Sequence, residues 1–107
     1  MRIKEFELAD SFFKRLRGLM FRPRAGKPVI FIFPKESISS ASIHSFFVFF
    51  EFDAVYLDKE KRVVQVFERV KPFTFFLAPE KPAKYLVEAK AGWASENTVR
   101  PGERIEW

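Results

Sequence analysis

Cysteine is absent from the 107 residues, and histidine occurs once, at His44. These shortages remove disulfides, thiolate nucleophiles and zinc sites built on sulfur, and they leave any metal to oxygen ligands. Side-chain amides are nearly as scarce. Asn97 and Gln65 stand alone beside 19 Lys and Arg and 14 Asp and Glu, a bias that goes with selection against thermolabile residues in a thermophile. No apolar run approaches the ~18 residues that a membrane helix requires. Met1 leads straight into Arg2, Lys4 and Glu5 without the apolar segment of a secretory signal. A cytoplasmic protein without a membrane span is expected, folded as a single domain over residues 1–107.

Several active-site signatures are missing as well. Gly18 and Gly26 are isolated, and neither GxGxxG nor GxxxxGKS occurs. Ser37, Ser39, Ser40 and Ser42 lack a nucleophile elbow. There is no EF-hand loop and no helix with His-Glu metal spacing, so the sequence implies no cofactor and no metal.

What is abundant is phenylalanine, with fifteen in the chain and five of them in IHSFFVFFEFDAVYLD at Ile43 to Asp58. Fully burying one such ring contributes ~1.5 to 3 kcal/mol, so most are expected in the core. Phe46, Phe47, Val48, Phe49 and Phe50 run consecutively and would cover both faces of one strand. Either both faces are packed or one forms an aromatic surface for a protein partner or a second copy of the chain.

Charge is uneven along the chain. Residues 1–28 hold eight basic and three acidic side chains, whereas residues 29–107 hold eleven of each. Lys14, Arg15, Arg17, Arg22, Arg24 and Lys27 form an acid-free stretch able to attract phosphate or an acidic partner, or simply to solvate a helix face and the loop after it.

The periodicity predicts a mainly β chain. Arg2 to Glu7 gives a weak edge strand, and Asp10 or Ser11 caps a short helix whose apolar face is Phe12, Phe13, Leu16, Leu19 and Met20. VIFIF at Val29 to Phe33, closed by Pro34, fits a strand buried on both faces. The Phe-rich run is expected to be the central strand. LDKEKRV at Leu57 to Val63 reads as a hairpin loop before a strand at Arg62 to Phe67. Further strands are expected at Lys71 to Leu77 and Ala83 to Ala91, separated by the Pro79 to Pro82 turn. Trp93 to Asn97 is predicted as a helical turn, and Pro101 with Gly102 as a type II turn into a last strand. Seven or so short strands with little helix argue for a sandwich or a partly open barrel.

Three stretches resemble the family called domain of unknown function 192. They are KRLRGLMFR at Lys14 to Arg22, the segment from His44 to Asp58, where EFDAVYLDKEKRVV matches from Asp53 onward, and YLVEAKAGWA at Tyr85 to Ala94 followed by RPGERIEW. The resemblance implies a small jelly-roll-like β-sandwich with one short N-terminal helix, and it implies no activity. Two positions depart from the family pattern, Phe47 where it is commonly a polar Asn and Glu51 where it is Pro.

Few residues remain as candidates for chemistry. His44, the only residue whose unperturbed pKa lies near neutral, is the obvious general base or metal ligand, or else a hydrogen-bonded structural or rim residue. Glu51 and Asp53, two apart on a strand, would project from one face about 7 Å apart, as a cation or acid–base pair or as rim charges. Asp53 matches the family's acid and, set among Phe and Val, must find a partner. Glu88 interrupts an apolar strand, either as a cleft acid facing Arg15 or Arg17 or as half of a structural ion pair.

Three functional readings follow. The first is a non-enzymatic binding or interaction module using the aromatic strand and adjacent acids. The second is a hydrolytic or metal-assisted enzyme with a His44, Asp53 and Glu88 cleft. The third, least favoured, is nucleic-acid binding through Lys14 to Lys27 with exposed aromatics stacking on bases.

Overall fold

The structure, a computed structural model, describes residues 1–11, 26–42, 48–74 and 76–107. The expected N-terminal helix and the basic side chains Lys14, Arg15, Arg17, Arg22 and Arg24 lie outside the described residues, as do His44, Phe46 and Phe47.

Five strands are described: β1 (Glu7–Ala9), β2 (Val29–Ser37), β3 (Phe52–Leu57), β4 (Val63–Val70) and β5 (Ala83–Lys90). They form one mixed sheet in the order β1-β2-β5-β3-β4, with β1 parallel to β2 and the other neighbours antiparallel. The chain is mainly β, as its composition predicts. The sheet is open, with β1 and β4 at its edges and β5 at its centre.

Every residue of β3 is buried, which requires cover on both faces of the sheet. One face packs Phe31, Phe33, Phe52, Ala54, Tyr56 and Leu86 beneath Ala41, Val48 and Leu77. The other packs Ile30, Val55, Leu57, Val87 and Ala89 beneath Trp93, Ala94, Val99 and Ile105. Among the described residues the second layer is therefore built from loops and a four-residue helix, α1 (Trp93–Glu96), and not from the second sheet that a sandwich needs. Irregular segments can cover a sheet because their apolar side chains bury area as well as a strand's do.

Several strand expectations need correction. The N-terminal edge strand is Glu7–Ala9 and not Arg2 to Glu7, and the segment after Gly102 makes isolated bridges at Arg104 and Glu106 in place of a last strand. Phe49 to Glu51 carry no strand, and the hydrogen-bonded ladder starts at Phe52, so the apolar density at Val48 to Phe50 marks packing and not pairing. Val48 and Phe50 pack on the core while Phe49 turns out to solvent. Strand β2 does not stop at Pro34. Its register moves from Ile32 opposite Tyr85 to Ser37 opposite Ala83, and the irregularity accommodates a residue with no N–H to give. Lys84 Nζ donates to the Phe33 carbonyl there at 2.6 Å. Lys71 to Thr74 is a turn, with Thr74 Oγ1 donating to the Lys71 carbonyl at 2.7 Å.

The hairpin between β3 and β4 is where LDKEKRV predicts it. Asp58 Oδ1 accepts the backbone N–H of Glu60 and of Arg62, the usual way an Asp closes a tight turn. Gly102 has φ 91 behind Pro101, as the predicted turn requires. The chain ends meet: Ile3 N donates to the Glu106 carbonyl at 2.8 Å and Glu106 N to that of Met1 at 2.9 Å.

Candidate functional site

Asp53 lies near the start of β3 and is fully buried. Its Oδ1 accepts the backbone N–H of Arg69 and its Oδ2 that of Ala94, both at 2.9 Å. The first contact satisfies a β-bulge, where Phe52 faces Val70 but Ala54 faces Phe67, leaving an extra β4 residue. Arg69 takes φ 54 at that bulge. The second contact caps α1. Gly92, at its N-terminal boundary, has no side chain to accept a first-turn N–H, and Asp53 does so from 41 residues away. Thus the partner that a carboxylate among apolar residues requires is backbone, supplied twice.

Glu88 is also buried, on β5. It sits opposite Ala54 and Val29, whereas Asp53 sits opposite Ala89. Residues directly opposite in a ladder share a face, and neighbours along a strand alternate. Asp53 therefore lies with Val55 and Ala89 on the α1 side, and Glu88 with Ala54 and Leu86 on the other. The sheet separates the two acids of the expected cleft.

On the Glu88 side, Tyr56 Oη donates to the Ala41 carbonyl at 2.5 Å and approaches that of Leu77 at 3.4 Å. Burial first, and then the charge of Glu88, holds this phenol's pKa far above its ordinary value. Tyr56 pins the Ser39–Ala41 turn and the Leu77 segment over the core, a structural task. Among the described residues no three His, Asp or Glu side chains gather as metal ligands would.

Beyond the end of the ladder, side chains continue the cross-strand pairing. Glu51 meets Lys71 Nζ at 3.2 Å and Arg69 Nη1 at 3.7 Å. One step further out, Phe49 and Phe73 meet edge to face with centroids 6.0 Å apart. The rings are 58% and 52% exposed, and Phe76 is 68% exposed. From Asp53 outward the column changes from buried carboxylate to ion-paired carboxylate to open aromatic pair.

Phe73 is the residue that sequence reasoning missed. Its φ is 61, a left-handed conformation costing ~1 to 2 kcal/mol for a residue with a Cβ. It follows Pro72 in a turn where Gly or Asn is the usual occupant, and that Pro-Phe pair was the available signal. Reading Lys71 to Leu77 as a strand hid it.

A sheet buried on both faces, a carboxylate spent on backbone and an exposed aromatic pair characterise this small, mainly β fold among the described residues. The chain belongs to the family described as "Uncharacterized ACR", domain of unknown function 192, whose model matches residues 2–107. It is 38% identical over 101 residues to a UPF0127 protein of Thermococcus sibiricus, covering 94% of this chain and 64% of that one. A UPF0127 protein of Pyrococcus furiosus is 40% identical over 106 residues, covering 96% and 86%. Both relatives come from thermophilic archaea, in keeping with the scarcity of amides. A crystal structure of a protein of unknown function from Novosphingobium aromaticivorans shares the fold, with TM-score 0.87 and 24% identity over 95% of this chain and 74% of that one. The function of this family is not established, and no helix among the described residues is long and apolar enough to cross a membrane.

Proposed function

We propose that residues 1–107 act as one cytoplasmic, non-enzymatic interaction module whose contact surface is the Phe49 and Phe73 pair at the outer end of the β3 and β4 column. The observation that carries this reading is that both rings touch each other while remaining more than half exposed, one of them on a strained backbone. Large rings are costly to leave in water, and backbone strain concentrates where a surface is used.

The hydrolytic alternative has less support. Both Asp53 oxygens are committed to backbone N–H groups, and Glu88 is on the opposite face of the sheet. A catalytic pair needs both groups within reach of one substrate atom.

Nile red, a neutral dye that brightens in apolar contact, tests the surface. The protein should enhance its emission, and the Phe49→Ser/Phe73→Ser double variant should lose that enhancement while keeping the same far-ultraviolet dichroism. An unchanged dye response in the folded double variant refutes the proposal.

A further inference from the structure

We infer that the Phe49 and Phe73 pair, together with Arg69 and Lys71, takes a planar aromatic group carrying an anion: the base and phosphate of a nucleotide in a single strand. The inference rests on the interaction surface proposed above and names its ligand class. Edge-to-face contact leaves ring faces open, and an open ring face accepts any base by stacking. One step inward stand two cationic side chains, Arg69 at 65% and Lys71 at 79% exposure, arranged about the single carboxylate of Glu51. Glu51 is thus shared by two cations, which leaves this ion-paired cluster with more positive than negative charge.

Aromatic and basic residues are segregated along the sequence, the basic ones concentrated before residue 28 and the Phe run after residue 43. The fold brings a different set together, because Arg69 at the end of β4 and Lys71 just after it meet Glu51, two residues from Phe49 in the chain. Single-strand binding combines such rings with such cations and tolerates any sequence. A duplex, whose bases are already stacked, offers no free face to the rings.

Fluorescence anisotropy with a labelled single-stranded oligothymidylate about twelve nucleotides long tests the inference at about 50 and 200 mM salt. The native protein should bind it more tightly than duplex DNA. Phe49→Ser/Phe73→Ser should weaken binding about tenfold. Lys71→Gln should lower the slope of affinity against salt by about one. Glu51→Gln, which removes the anion, should tighten binding roughly two- to fivefold. Competition by thymidine monophosphate at equal nucleotide concentration assigns the site to free nucleotides, and its failure to compete assigns it to the polymer. The inference is overturned if the oligonucleotide does not bind, or if it binds as heparin does with no dependence on Phe49 and Phe73. Loss of the Nile red response in the double variant, without oligonucleotide binding to the native protein, would leave the aromatic surface standing and remove only this ligand class.

Discussion

Asp53 accepts the backbone N–H of Ala94 at 2.9 Å and so joins the interior strand β3 to the helix that covers one face of the sheet. Its second oxygen holds the β4 bulge at Arg69. The acid with the strongest claim to chemistry is therefore a clamp between three elements.

Replacing Asp53 should damage the fold in proportion to the hydrogen bonds lost. Asp53→Ala leaves one buried and one partly buried donor without partners and should cost about 2 to 4 kcal/mol, and Asp53→Asn, keeping one acceptor, about 1 to 3. Urea unfolding of both variants measures this, with an unchanged m-value marking loss of stability in the native state. A loss below about 0.5 kcal/mol in Asp53→Ala would contradict the clamp.

Tyr56 gives the protein an alkaline limit. Its folded pKa is raised by burial and by Glu88, while in the unfolded chain it returns toward ~10. The folded state thus keeps a proton that the unfolded state releases, and stability is fully present below about pH 10 and falls as pH rises above it. Tyr56→Phe removes the proton and with it this contribution to alkaline sensitivity, at a cost of about 1 to 2 kcal/mol at neutral pH from the orphaned Ala41 carbonyl. Denaturation midpoints across the alkaline range, native against variant, check both signs.

Phe73→Gly separates a ring kept for the core from one kept for a surface. Truncating a core Phe costs about 3 to 5 kcal/mol. Here the left-handed strain is relieved by about 1 kcal/mol, offsetting the lost contact with Phe49 and the added freedom of glycine in the unfolded chain. The thermal midpoint should stay within a few degrees of native, since about 1 kcal/mol moves such a domain by ~4 to 8 °C.

Much of the sheet was legible. The hairpin at Asp58 to Arg62, strands β2, β4 and β5 and the helical turn at Trp93 all lie where the sequence places them, the strands and hairpin through local signals: turn-forming Asp and Pro and β-branched runs. Where local signals have more than one solution, the reading failed. Val48 and Phe50 supply apolar area that a loop can bury as well as a strand, and Pro34 is tolerated in β2 because a bulge removes the need for its N–H. The site was legible only as far as composition goes. Asp53 was picked out as an acid in need of a partner, but Arg69 and Ala94 are 16 and 41 residues away, and no spacing rule reaches them. Nor does the sequence show that Asp53 and Glu88 face opposite ways, since that depends on the β3 and β5 register.

The central claim is that the buried acid holds the fold while the exposed rings make the contact. Measuring urea stability and Nile red enhancement side by side on Asp53→Asn and on Phe49→Ser/Phe73→Ser tests it most directly. The account predicts a crossover: Asp53→Asn loses about 1 to 3 kcal/mol with its dye response intact below its unfolding range, and the double variant keeps its stability within about 1 kcal/mol while losing the response. Stable Asp53→Asn protein with an abolished dye response, or a double variant that binds dye like the native protein, would contradict it.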